Sequence, residues 1–438
     1  MTDKPTNAPR PTTQRLLKLA GMTARISGHA ARDRWQRLWQ GDADRSAQEA
    51  ELYTRIGMEI AETLGEMKGA VMKVGQVVSQ YRDLLPPELV NALTRLQNDA
   101  PAQPFSSLLP RLHEAFGPDL ERHFSFIDPT PLASASLAQV HRARTTDGRE
   151  VVLKVQYPGV DAAVAADLKQ LRVALKLARV LPVKNEILDA LFREIAQSLE
   201  AELDYRIEAE AITRFRCYHA DTPAIVIPEV LTALSNTRVL TLSFEPGDGL
   251  GQLDVRYDQP LRNQIAATLF QALGRQLYQF GEVHCDPHPG NFAARLDGSL
   301  VMYDFGCIKK VSPQISQCYG KMTRAALAGD TDAIEAGLIA LGARQTTHTP
   351  TLPGAFYAPW LALAAESFSD DVTDFASFPM AERVIALSRA ALPQWRAFQP
   401  VPETVMVNRA LGGHYWNLRQ LGAQLALRPL LHTVLPAD

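Results

Sequence analysis

Disulfide chemistry has little to work with in this sequence. Its 438 residues hold four cysteines, Cys217, Cys285, Cys307 and Cys318, and no two stand in a C-x-x-C spacing. That argues against a disulfide framework and for free thiols in a reducing compartment. No run approaches the ~18 consecutive apolar residues of a membrane span. The start, MTDKPTNAPRPTT, is polar where a secretory signal would be apolar. A cytoplasmic protein is expected, with peripheral membrane contact left open. Charge of one sign is lacking too: the net value of -3 gives no reason to expect nucleic acid as a partner. There is no internal repeat of the kind that builds a solenoid. What remains is a chain 46% hydrophobic and 21% charged, able to build a sizeable core across about two or three domains.

The patterning suggests four segments. Residues 1–46 form a basic, partly disordered lead. Within it, 14–40 carry Arg15, Lys18, Arg25, Arg32, Arg34 and Arg37 against the single acid Asp33, and end in Trp35 and Trp39. Such a helix either packs with a solvated basic side or lies on an anionic bilayer. Residues 47–116 form a helical extension broken at Pro86-Pro87. Residues 117–248 form a small β-rich lobe, with LAQVHRAR and REVVLKVQ joined through TTDG as a hairpin and helix over 161–217. Residues 249–438 form a mainly helical lobe with a long helix near 259–281 and a second hairpin at 292–304. The class is α+β with two lobes.

The densest chemistry lies in VHCDPHPGNF, residues 283–292. Zinc would need three or four ligands, and Pro287 and Pro289 oppose the helix that would bring His284 and His288 to one face. A Cys285 nucleophile would need a positioned base and a lowered pKa. A third reading fits more residues: His284, Asp286 and Asn291 match H-x-D-x-x-x-x-N, and Asp304-Phe305-Gly306 follows as D-F-G. Between them stands Asp297-Gly298, the pair favoured by a two-residue hairpin turn. That turn pairs 296 with 299 and sets Asn291 opposite Asp304; a three-residue loop would shift the pairing by one. Oxygen side chains on strand ends suit Mg²⁺. In this frame Asp286 is the base or positioner for an acceptor hydroxyl, while Asn291 and Asp304 hold metal on nucleotide phosphates. His284, His288 and Cys285 then serve as packing and hydrogen-bonding groups that fix the loop.

A lobe of this type also needs a lysine on a strand, and VVLKVQYPG offers Lys154. A lone buried lysine is costly, so an acidic or phosphate partner is expected. EAELDYRIEAEA (200–211) supplies Glu202, Asp204 and Glu208, with Asp204 and Glu208 sharing a helix face at i, i+4. A second lysine, Lys73 in KGAVMKVGQVVSQ (68–80), lies on a polar stripe with Gly69, Gln76 and Gln80. Glycine is missing where a phosphate-covering G-x-G-x-x-G loop would stand: PLASASLAQVH (131–141) puts Ala133, Ser134, Ala135 and Ser136 there. An A-P-E sequence is also missing after D-F-G.

Together these residues resemble the UbiB (AarF-domain) family of atypical kinase-like proteins. The match covers roughly residues 50 to 320: K-x-G-Q at Lys73–Gln76, the alanine-rich loop Ala133–Ser136, Lys154, E-x-D at Glu202 and Asp204, HCDPHPGN and DFG. NRALGGHYWNLRQLGA (408–423) is similar to the coenzyme-Q-linked branch. The resemblance implies a two-lobed protein-kinase-like fold binding Mg-ATP, with an N-terminal extension covering the peptide-substrate face. It implies Lys73 paired with Glu202 and Asp204, and Lys154 paired with Glu208. It further implies an ATPase, or an unorthodox kinase for a small or lipid-like acceptor, in ubiquinone synthesis. Its partners would be a lipid or quinone precursor and quinone-biosynthesis proteins. A nucleotide-dependent scaffold without turnover is the alternative.

Overall fold

The computed structural model describes residues 102–134, 137–160, 200–253, 255–347, 351–399 and 401–436, with scattered positions elsewhere. Lys73, Gln76, Ala135, Ser136 and most of the basic segment 14–40 lie outside the described residues, as do most of the helices expected over 47–97 and 161–199. The chain divides into two compact units, Met1–Glu210 with Val230–Phe244, and Ala211–Glu229 with Glu245–Asp438. Residues 211–229, which the expected 117–248 lobe includes, group with the second unit.

The first unit is built on one antiparallel sheet. Its strands are β1 (Phe124–Ser134), β2 (Ala138–Thr145), β3 (Glu150–Gln156) and β5 (Val239–Ser243), in the order β1-β2-β3-β5. Strand β3 shows why: Val151, Leu153 and Val155 alternate inward and are fully buried, while Val152 and Lys154 face the other way. Helix α1 (Leu109–Phe116) lies against this sheet, with Leu108 and Leu112 fully buried. The stretch expected to cover phosphate, 131–141, is mostly strand, including the part of LAQVHRAR expected as one. Ala133 pairs with Val140 and Ser134 with Gln139, so the alanine-rich segment is the end of a β1–β2 hairpin. Pro129 and Pro131 donate no ladder hydrogen bond, and the register shifts around Pro131 accordingly.

Helix α2 (Tyr205–Tyr218) holds a second departure. The continuous helix expected over 161–217 is interrupted at Leu203 and Asp204, although neither glycine nor proline marks the spot. Long-range bonds compensate. The buried Gln156 amide donates to the Leu203 carbonyl at 2.8 Å, and the Tyr205 N–H reaches the Thr237 carbonyl at 3.0 Å. Asp204 therefore lies before α2 rather than on the face of Glu208.

The second unit opens with β4 (Ile225–Val226) and β6 (Asp248–Gly249), followed by α3 (Gln259–Arg275). Asp258 caps α3 by accepting the Leu261 N–H at 3.0 Å, and Ile265, Ala266, Leu269, Ala272 and Leu273 bury its inner face. A π-helical turn, Gln276–Phe280, carries the chain into β7 (Glu282–His284). Then come β8 (Phe292–Ala294), β9 (Leu300–Met302) and β10 (Ile308–Lys310). A small sheet runs β4-β9-β8-β6, and β7 pairs with β10. The tail is mainly helical as expected: α4 (Pro313–Ala328), α5 (Thr331–Ala340), α6 (Gly354–Ser367), α7 (Met380–Ala391), α8 (Pro402–Gln420) and α9 (Leu427–Val434). Between them run the short paired strands β11 (Thr373–Asp374) and β12 (Gln424–Leu425). Among the described residues, no helix is long and apolar enough to cross a membrane.

Candidate functional site

In the first unit, Lys154 and Glu208 meet. The Lys154 ammonium donates to both Glu208 carboxylate oxygens, at 2.7 and 2.9 Å, and stands 5.5 Å from the centre of the Tyr205 ring. The side chains are only 15% and 7% exposed, so this is a largely desolvated pair. Lys154 shares a cross-strand row with Val140 and Ala133, which places the alanine-rich hairpin end on the lysine's face of the sheet. Asp204 engages Arg206 instead of Glu208's face. Its carboxylate takes the Arg206 guanidinium at 2.6 Å and the Arg206 backbone N–H at 3.0 Å, and these bonds hold its pKa below the usual carboxylate range. Glu202 is half-buried, two residues before it.

In the second unit, the 284–291 loop is fixed from several sides. The His284 ring is fully buried, bonds the Asp304 backbone carbonyl through Nε2, and packs edge-on to Phe292 and Phe305. Burial lowers its pKa, so it stays neutral. His288 accepts the Gly290 N–H through Nδ1 at 3.1 Å. Burial pushes the Cys285 thiol far above the ordinary range, the opposite of an activated nucleophile. Among the described residues no group of three metal-ligating side chains of the His, Cys, Asp or Glu type occurs.

Asp286 and Asn291 are brought together: the Asn291 side-chain amide donates to Asp286 Oδ2 at 2.8 Å and to the Asp286 carbonyl at 3.2 Å. With its nitrogen so committed, the carboxamide oxygen is the atom left to face a cation. The register beyond differs from the two-residue turn expected. Phe292 pairs with Met302 and Ala294 with Leu300, and Arg295 N–H meets the Ser299 carbonyl at 3.0 Å. A three-residue loop, Leu296–Gly298, closes the hairpin. Gly298 takes φ +85°, and Asp297 accepts both the Ser299 N–H and hydroxyl, at 2.9 and 2.7 Å. Asn291 consequently lies opposite Tyr303, whose N–H donates to the Asn291 carbonyl at 3.0 Å, and Asp304 follows one residue later. The Asp304 carboxylate accepts the Gly306 N–H at 2.8 Å.

One participant was not foreseen. Arg409, on α8, donates to Asp286 Oδ1 at 3.2 Å. The partners are 123 residues apart in sequence, and local spacing carries no signal for such a contact. Helix α8 also fastens the loop through the Asn417 amide, which donates to the Pro287 carbonyl at 2.9 Å. Gly413 lets the helix come this close: a Cβ there would fall 2.0 Å from Pro287 Cγ. Alanine at 413 would gain about 1 kcal/mol from helix propensity. The overlap is worth about 1–3 kcal/mol the other way and should win. Gly413→Ala is thus expected to lower the urea midpoint; a raised midpoint would show that α8 does not press on the loop.

A strand lysine paired with a helix glutamate, and a D…N…DFG hairpin in a mainly helical unit, define the kinase-like class. The family model for the ABC1 atypical kinase-like domain matches residues 95–337, and the chain belongs to this family. It is 30% identical over 373 residues to atypical kinase COQ8B, mitochondrial, of Rattus norvegicus, covering 85% of this chain and 70% of that one. With atypical kinase COQ8, mitochondrial, of Schizosaccharomyces pombe it shares 28% identity over 428 residues, 96% of this chain and 69% of the relative. Against atypical kinase coq-8 of Caenorhabditis elegans it spans 50% of the relative's length. Among solved structures, the erythromycin complex of Rv3197 from Mycobacterium tuberculosis superposes with a TM-score of 0.64 at 26% identity, over 90% of this chain and 98% of that one.

Proposed function

We propose that this chain binds Mg-ATP and either hydrolyses it or passes its terminal phosphoryl group to a small or lipid-like acceptor, in support of ubiquinone or related isoprenoid lipid synthesis. The observation that carries the reading is the orientation of Asn291. Its amide nitrogen is held by Asp286, which leaves its oxygen to offer Mg²⁺ a hard ligand, with the Asp304 carboxylate as the second such ligand. Bound Mg²⁺ would neutralise phosphate charge. Lys154, held by Glu208, orients the phosphates, and Ala133, Ser134, Ala135 and Ser136 are the residues proposed to meet the nucleotide. Asp286 orients the attacking hydroxyl or water. A carboxylate has about four lone-pair sites, and Arg409 and Asn291 engage one each on its two oxygens, which leaves capacity for that proton. Lys73, Gln76, Glu202 and Asp204 take the regulatory role that the resemblance implies. The relatives' names, atypical kinase COQ8 and COQ8B, support the quinone-linked setting, and quinone-biosynthesis proteins are its proposed partners.

Calorimetric titration of Mg-ATP tests the site. Asp304→Asn should bind at least about tenfold more weakly than wild type. Equal affinities would remove Asp304 as a metal ligand. A second reading, a nucleotide-dependent scaffold, draws support from alanine and serine in place of glycine at the hairpin end. It predicts Mg-ATP binding without turnover.

A further inference from the structure

Two cysteines flank this site. Cys285 directly precedes Asp286, and Cys307 directly follows Gly306. Strands β7 and β10 run antiparallel with His284 opposite Ile308, and one step further the Cys285 N–H donates to the Cys307 carbonyl at 2.8 Å. The cysteines are therefore opposed in a hydrogen-bonded position, where Cα atoms stand about 5.5 Å apart and side chains leave the same face. A disulfide needs its Cβ atoms about 3.8 Å apart, closer than the roughly 4.5–5.5 Å of such a cross-strand pair, so closing it pulls the two strand ends toward each other. Both side chains meet one apolar cluster. Cys285 sits among Val283, Val311, Leu277 and Ala410, and Cys307 packs against that group. Cys285 is fully buried and Cys307 half-exposed, so Cys307 alone of the pair meets a dissolved oxidant.

We propose that Cys285 and Cys307 are a redox pair whose reversible disulfide ties the Asp286 loop to the DFG segment in response to a hydroperoxide. The Cys307 sulfur attacks the peroxide, the O–O bond breaks, one oxygen stays on sulfur as a sulfenic acid, and the other leaves with the thiol proton, as water from hydrogen peroxide or as an alcohol from an organic hydroperoxide. Cys285, whose buried thiol is not activated at rest, then attacks the adjacent Cys307 sulfur as its proton is taken up. An S–S bond forms, the S–O bond breaks, and the departing hydroxide takes the Cys285 proton as water. Two thiols lose two electrons to one peroxide, and a dithiol reverses the reaction. The bond draws the residues beside Asp286 and Gly306 together, and displacements of an ångström at such groups cost about a hundredfold in rate.

Full-length protein carrying Cys217→Ser, which removes the exposed thiol as a source of intermolecular links, is treated with hydrogen peroxide, alkylated and digested. The expected product is one peptide pair joined through Cys285 and Cys307, absent in Cys307→Ser and in Cys285→Ala, and released by dithiothreitol. Cys285 and Cys307 both remaining alkylatable, or Cys307 advancing to sulfinic acid beside a free Cys285, overturns the pair. ATP turnover, which rests on the function proposed above, should fall at least about tenfold on oxidation and return on reduction. Linkage with unchanged turnover refutes the regulatory coupling. Absence of turnover in the reduced protein speaks against the proposed activity and leaves the linkage result standing.

Discussion

Asp286→Asn is expected to lower ATP turnover by about a hundred- to ten-thousandfold, the range spanned by a positioned acid–base group. The geometry adds a second effect. Asp286 Oδ2 accepts from the Asn291 amide, and Oδ1 accepts from Arg409. An asparagine at 286 has one oxygen to offer where two donors wait. If the oxygen faces Arg409, the new amide meets the Asn291 amide donor to donor. Asn291 must then rotate, turning its oxygen away from the position proposed for the cation. The Mg²⁺ concentration needed for half-maximal turnover should therefore rise alongside the fall in rate. Steady-state ATP hydrolysis across a Mg²⁺ series measures both. Turnover equal to wild type would take Asp286 out of the chemistry.

Lys154→Met should be costly to stability and to nucleotide affinity, and the two losses can be separated. Glu208 is 7% exposed, so a carboxylate without its ammonium partner is destabilised by about 3 kcal/mol. A Lys154→Met/Glu208→Leu double variant replaces both charges by apolar groups, and should recover most of that stability. It should not recover Mg-ATP affinity, because the phosphate-facing charge is still missing. Urea denaturation and calorimetric titration on the same three proteins give the comparison. Recovery of both properties in the double variant would reduce Lys154 to a structural role.

The parts of the fold legible in the sequence were those set by local periodicity. REVVLKVQ reads as a strand from its β-branched run, and β3 turns Val151, Leu153 and Val155 inward with Lys154 on the other face. The long helix after Asp258 was equally plain, with the π-helical turn at 276–280 too subtle to read. The two departures share a cause. Asp-Gly serves two-residue and three-residue hairpin loops alike, and the choice at Asp297-Gly298 falls to bonds from Asp297 to Ser299 that composition does not announce. The interruption at Leu203 and Asp204 sits in a run of good helix formers. It is stabilised by Gln156 and Thr237, both remote in sequence.

The site divides in the same way. Lys154 could be paired with one of three acids from spacing alone, and the resemblance chose among them. The contact itself depends on how α2 is held after the interruption. Asp286 and Asn291 were legible because they stand five residues apart in one loop. Arg409 was not, although the helix that bears it was noticed for its sequence. Its guanidinium acquires meaning only when α8 lies against Pro287, and the absent side chain at Gly413 permits that approach.

The distance from Asp286 to Arg409 along the chain has a consequence for biosynthesis. A ribosome adding roughly 5–20 residues per second needs about 6–25 s to pass from one to the other. Throughout that interval the emerging loop has its aspartate but not the guanidinium supplied by a helix still unmade. The nascent chain thus completes the contacts of its Asp286 loop only once α8 has been made, and chains ending before α8 are released without them.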